Sequence, residues 1–362
     1  MSPLDREQRL KLLEEVSLAP GIPGYEGEVA EVLARWAKPV VANPQYDGLG
    51  SVIFELAGDD SGPLIMIAAH MDEIGFMVRR VTDDGFIKFQ PVGVWCDHAL
   101  PGHRVRIHSG DTEILGVIGT KPPHLIPSEK RDESLKLKDL YIDIGARDAE
   151  EVESFGVRPG DPITPVSTFS AVGDGHMLMS KAWDNRMGCC LLVDLLYRLA
   201  EKDHPNTVAA VGTVQEELGL RGAETSTASV KPDVGIALEI DVAGDVPGVC
   251  VDEAAAELDS GPSLPIYDVS MIPNLQFRDL VMEVSEEMDI PLQKTVAPMG
   301  TDAGKIHLHD AGVPSVVLGV PTRYIHAHSG ILSIDDYERT LDLLDALISR
   351  LDWETVQSFR RG

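Results

Sequence analysis

Along this chain the spacing of apolar positions changes twice. Residues 5–38 carry them at helical intervals, broken by the turn-rich Ala19-Pro20-Gly21-Ile22-Pro23-Gly24, and residues 26–37 resume the 3.6-residue period, which predicts two helices. Two short apolar runs follow, at residues 51–56 and 63–69. The cluster Gly58-Asp59-Asp60-Ser61-Gly62 between them is rich in turn formers, so the pair reads as a β-hairpin. From Gly75 to about Phe169, short alternating stretches such as Phe86-Ile87-Lys88-Phe89 and Arg104-Val105-Arg106-Ile107 are separated by Asp83-Asp84-Gly85 and Ser109-Gly110 turns. That texture predicts a small all-β unit closed as a barrel, with the charged residues 128–139 as an exposed loop.

From Gly175 onward helical and strand patterns alternate: helix at 185–200, strands at 207–214 and 233–238, helix at 274–288, strand at 314–320 and a long helix at 334–351. Such alternation implies a sheet with parallel members, covered by helices on both faces. The early strands need the same sheet. The expected fold is therefore α/β, a three-layer α/β/α domain made of residues 1–74 and 170–362, with a small β-barrel of residues 75–169 inserted into it.

Composition narrows the class. At 362 residues the chain has room for two domains, and 43% apolar with 25% charged residues is ordinary for a soluble globular protein. No apolar run approaches the ~20 residues of a membrane span, and the N-terminus has no signal-peptide pattern, so the expected location is cytoplasmic, with no membrane partner. A formal net charge of -28 argues against nucleic acid, whose phosphates are held by Lys and Arg. The cysteines, Cys96, Cys189, Cys190 and Cys250, have no CxxC spacing and read as buried free thiols.

Candidate chemistry gathers at strand ends. His70 and Asp72 follow an apolar run in "AAHMDEIG"; Asp184 lies in "KAWDNR", Glu216 and Glu217 in "TVQEELGL", Glu239 in "IALEID" and His326 in "RYIHAHSG". Each sits at or just beyond the predicted carboxyl end of a strand, the edge where open α/β sheets bind ligands. Singly, each has a structural explanation: His70 as a hydrogen-bonded strand end, Asp184 as a helix cap, the glutamates as solvated loop carboxylates. Together, two histidines and three carboxylates form a sensible ligand set for a pair of divalent cations, one carboxylate bridging them. Glu216 and Glu217 reach one site only if their strand ends there, which Gly219 permits; one then ligates and the other serves as general acid and base. Asp72, sharing the extended face of His70, is expected to accept a hydrogen bond from it and fix its tautomer. Glu73 receives no catalytic task. "MGTDAGKI", with Thr301 and Asp302 between Gly300 and Gly304, reads first as a turn and helix cap and second as a lining of the substrate site.

These pieces, with "GVIGTKPPHL", "DLYIDIGA", "GTDAGKIHL" and the order in which they occur, resemble the M42 family of metallo-aminopeptidases over nearly the whole chain. The resemblance implies two divalent metal ions per subunit, zinc or cobalt: His70, Asp184 and Glu239 on one, Asp184 bridging to a second held by Glu217 and His326. It implies Glu216 as catalytic base, Asp72 in support, short peptides as substrates and a PDZ-like inserted barrel used in assembly. The homo-oligomer it suggests is a hollow tetrahedral dodecamer. Asp241, two residues from Glu239, and then Asp245 are the alternative ligands on that strand, and His328 is the alternative to His326. First-residue specificity stays open. A glycoside hydrolase, motivated only by the paired carboxylates, leaves both histidines unexplained. A non-catalytic metal-binding assembly protein leaves Glu216 without a role.

Overall fold

The structure, a computed structural model, describes residues 2–59, 61–125 and 135–361. Its larger sheet has 11 strands. The centre is four parallel strands, Thr207–Thr213, Leu64–His70, Val234–Val242 and Ser315–Arg323, in that spatial order. Antiparallel Val52–Leu56 and Gly330–Ser333 flank them, and Ser263–Tyr267 with Gln293–Val296 extends the sheet beside Ser315–Arg323.

Alternation along the strands sorts side chains into two layers. Ile65, Ile67 and Ala69 join the main core under helices Arg6–Leu18, Gly27–Ala37, Trp183–Leu199 and Ile334–Arg350, while Met66 and Ala68 join a smaller cluster on the opposite face with Ile306 and Val313. The resulting helix–sheet–helix layering is the one expected. Each fully buried side chain of this kind contributes roughly 1.5–3 kcal/mol. Val29 and Leu33, from the amphipathic repeat of the second helix, are both fully buried there.

The barrel closes from six strands, Gly75–Val81, Ile87–Val92, Tyr141–Asp143, Thr112–Gly119, Arg104–Ser109 and Pro162–Pro165. Phe76, Val78, Phe89, Val105, Ile107 and Ile163 fill it, with Phe76 and Phe89 packed edge to face at 4.9 Å. In sequence it lies between the strand ending at His70 and the resumption of the large sheet at Ser170–Val172. Of the expected 128–139 loop, residues 128–134 lie outside the described residues, and Leu137–Asp139 is a short 3-10 turn.

The predicted hairpin is not formed. Thr207–Thr213 lies between the two strands, antiparallel to Val52–Leu56 and parallel to Leu64–His70. The glycines that suggest a tight turn instead admit a neighbouring backbone: a Cβ on Gly58 would lie 2.4 Å from the Asn206 carbonyl oxygen, and one on Gly62 2.1 Å from that of Pro205.

Candidate metal centre and active site

The parallel register assembles the site. Thr213 pairs with His70 across adjacent strands, and Ala68 pairs with Ala237, which brings Glu239 level with His70 on the other side. Glu216 and Glu217 occupy a 3-10 turn, Glu216–Leu218, just past the end of Thr207–Thr213; Asp184 opens the helix Trp183–Leu199, and His326 sits between Ser315–Arg323 and Gly330–Ser333. The turns carrying four of these residues, Asp184, Glu216, Glu217 and His326, contain non-glycine residues in the left-handed region: Ala182 (φ 56), Gln215 (φ 56) and His326 itself (φ 54). Such conformations cost on the order of 1–3 kcal/mol each, and they concentrate here, where side chains must converge.

Asp184 stands between the histidines. Its Oδ1 is 3.0 Å from His70 Nε2 and its Oδ2 is 3.2 Å from His326 Nε2. Glu217 Oε1 lies 3.1 Å from His326 Nε2, and the Glu216 and Glu239 carboxylates each come within 3.9 Å of His70 Nε2. His70 Nδ1 donates to the main-chain oxygen of Asp72 at 3.0 Å, which fixes the ring's orientation with Nε2 toward the carboxylates. The Asp72 carboxylate, expected to take that bond, is 3.6 Å from Nδ1 and is occupied elsewhere: Oδ1 accepts the Glu216 N–H and Oδ2 the Glu217 N–H, both at 3.0 Å.

Negative charge dominates the centre. Burial, and repulsion from Glu239, Asp302 and Glu217, hold the Glu216 carboxyl well above its ordinary range against the opposing field of His70. Glu239 is pushed up in the same way, by burial first. Burial opposes protonation of His326, yet Asp184 and Glu217 raise it to about 10. Glu239 Oε1 is buried without a hydrogen-bond partner. Imidazole nitrogens, convergent carboxylates and an orphaned buried oxygen form a donor set suited to divalent cations. Among the described residues, ligand atoms of His70, Asp184 and Glu217 lie within 4.8 Å of one another, a group able to hold a metal ion.

The alternative ligands are engaged elsewhere. Asp241 Oδ2 accepts the Thr295 hydroxyl at 2.6 Å, and Asp245 is gripped by the Arg323 guanidinium, with Nε to Oδ1 at 2.8 Å. The His328 ring stacks on His103 at 3.8 Å between centroids. Glu73 pairs with buried Lys181 at 2.5 Å, a structural ion pair.

Comparison with known proteins places this geometry in a family. Residues 50–343 match the model of the M42 glutamyl aminopeptidases. The chain belongs to the M42 peptidase family. It is 34% identical to the glutamyl aminopeptidase of Lactococcus lactis subsp. cremoris (strain MG1363), over 97% of this chain and 98% of that protein. The TET aminopeptidase of the marine sediment archaeon Thaumarchaeota archaeon SCGC AB-539-E09 superposes with a TM-score of 0.95 at 42% identity, covering 98% of this chain and 99% of that one. The Pyrococcus horikoshii TET1 peptidase, which assembles into a tetrahedron or a large octahedral shell, superposes with a TM-score of 0.84 at 31% identity, covering 95% and 100%. The chain is accordingly a peptide hydrolase, a metal-dependent aminopeptidase.

In this M42 peptidase two supporting carboxylates have no signal in the sequence pattern. Glu26, placed by its spacing at the start of a helix, reaches across the chain: its Oε1 accepts the N–H of Gly24 and of Gln215, each at 2.9 Å, anchoring the left-handed residue that precedes Glu216. Asp302 does not cap the short helix Ala303–Ile306 as expected. Its side chain makes no cap hydrogen bond, and Oδ2 accepts the Thr213 hydroxyl at 2.5 Å. A motif dominated by glycine and small polar residues advertises a turn; only the folded packing shows what the carboxylate meets.

Proposed function

We propose that this site removes N-terminal residues from short peptides with two divalent cations per subunit, zinc or cobalt. His70, Asp184 and Glu239 would hold one, and Asp184, Glu217 and His326 the other. The observation that carries this reading is Asp184, whose two oxygens face the two histidines at 3.0 and 3.2 Å, the disposition of a shared carboxylate. When bound, such a pair of cations polarises the scissile carbonyl and acidifies water.

The remaining chemistry falls to the chain. Glu216 is the general base that takes the proton of the attacking water and returns it to the leaving amine. Its carboxylate stands 3.9 Å from His70 Nε2, and burial raises its affinity for a proton. Asp72 fixes the turn from which Glu216 projects. The small β-barrel, in a domain of residues 75–169, serves assembly into a homo-oligomer, for which the tetrahedral form of the P. horikoshii relative is the guide. Four free cysteines, two of them exposed, suit a reducing, cytoplasmic setting. Among the described residues no helix is long and apolar enough to cross a membrane.

Chelation followed by stepwise return of zinc or cobalt tests the reading. Peptide cleavage should vanish and return as two ions per subunit rebind, with light scattering following assembly. Full cleavage by metal-free protein, or recovery at a fraction of one ion, would overturn it.

A further inference from the structure

The cavity of about 370 Å³ that contains the candidate metal centre is also lined by apolar side chains, Val94, Leu220, Val242, Val269, Pro298 and Met299. Several of these side chains are left in water, Val94 at 71%, Val269 at 60% and Met299 at 41% exposure. Apolar groups gathered at the rim of a catalytic cleft gain free energy when an apolar group covers them.

The wall is held in place before anything binds. Asp268 ties together the two loops that carry it: Oδ1 accepts the N–H of Ser270 at 2.6 Å and of Met271 at 2.7 Å, and Oδ2 accepts the Thr301 hydroxyl at 3.0 Å. Gly300 and Gly304 allow the loops to meet, since a Cβ on them would stand 3.1 and 2.1 Å from Ser270 side-chain atoms. These are the glycines of "MGTDAGKI". An ordered wall spares a ligand the entropy of ordering it.

Among the described residues no lysine or arginine lines the cavity, and its histidines, with every carboxylate but Asp241, belong to the candidate metal centre and active site. An acidic side chain set against the apolar residues would lose water without a lysine or arginine there to pair with. Asp241 is a poor receptor for a basic one, because it is only 8% exposed and its Oδ2 is engaged by the Thr295 hydroxyl.

We propose that this cavity receives the side chain of the substrate's first residue and selects apolar residues of the leucine and methionine class over acidic and basic ones. The assignment rests on the aminopeptidase reading above and adds the residue class that this member of the family removes.

The experiment uses the metal-loaded, assembled enzyme with a panel of Leu, Met, Glu, Lys and Gly p-nitroanilides, and titration calorimetry with free L-leucine, L-glutamate and L-lysine. Expected values of kcat/KM for Leu and Met exceed those for Glu, Lys and Gly by about tenfold or more, the scale set by a few methylenes in an apolar pocket. In Met299→Asp the Leu-to-Gly ratio should fall by about tenfold, with most of the change in KM. Preference for Glu or Lys in turnover or in calorimetry, or an unchanged ratio in Met299→Asp, overturns the proposal. Tighter binding of leucine without cleavage of any anilide or peptide would keep the apolar wall and defeat the aminopeptidase reading instead.

Discussion

The Asp72 carboxylate holds Glu216 by its main-chain amide, Oδ1 to N at 3.0 Å, while its second oxygen takes the next amide, that of Glu217. One buried carboxylate thus fixes two consecutive residues of a turn. Adjacent side chains that would diverge on a strand are thereby delivered to one centre. Asp72→Asn leaves one acceptor oxygen and turns an amino group toward the other N–H. A main-chain donor without an acceptor costs about 1–3 kcal/mol, so kcat should fall roughly 10–100-fold with KM little changed. Metal content should stay at two ions per subunit; steady-state kinetics together with metal analysis checks both. An unchanged kcat would remove Asp72 from the positioning of Glu216.

Glu216→Gln separates proton transfer from metal binding. The amide keeps the shape of the side chain and cannot accept a proton as a base does. Turnover is expected to drop by about 10²–10⁴-fold, with metal content and oligomer size unchanged. Loss of an ion in this variant would instead make Glu216 a ligand.

The sequence pattern supplied what depends on periodicity. The α/β alternation, the barrel texture of residues 75–169 and the placement of His70, Asp184, Glu217 and His326 at strand ends follow from spacing of 2 and 3.6 residues and from where such runs stop. Pairing order did not follow. Residues 52–56 and 64–70 look like a hairpin because the strand that separates them lies well over a hundred residues downstream. The supports of the site were equally hidden. Glu26 and Gln215 are 189 positions apart and Asp72 and Glu216 are 144, and neither Ala182 nor Gln215 is a residue type that signals a left-handed turn. Local chemistry nominates ligands, whereas long-range packing decides what holds them.

Glu239 and Asp241 share a face of one strand, and metal stoichiometry distinguishes them. Glu239 Oε1 is buried and unpartnered, while Asp241 is bound to Thr295. Glu239→Gln is expected to lose one of two ions and at least about 100-fold in activity, since removing a carboxylate ligand leaves the cation under-coordinated. Asp241→Asn should keep both ions. The reverse pattern, read by mass-spectrometric metal analysis of the purified assembly, would shift the ligand two residues along the strand.

Glu26 gives a pH-dependent outcome away from the ligands. Burial, with repulsion from Asp72, raises its carboxyl to about 6, although the N–H groups of Gly24 and Gln215 pull the other way. Between about pH 4.5 and 6 the folded protein therefore binds more protons at this site than the unfolded chain does, and stability falls as pH rises through that interval. The cost is fully present above pH 6 and absent below about 4.5. Both N–H groups donate to Oε1, so Glu26→Gln retains both hydrogen bonds and removes the buried charge. The variant should be more stable at pH 7 by about 1–2 kcal/mol, with the gain vanishing near pH 4.5. Denaturant unfolding of metal-free protein at the two pH values measures it. A loss of stability at pH 7 would mean that the carboxylate's charge, and not only its oxygen, holds Gln215 in place.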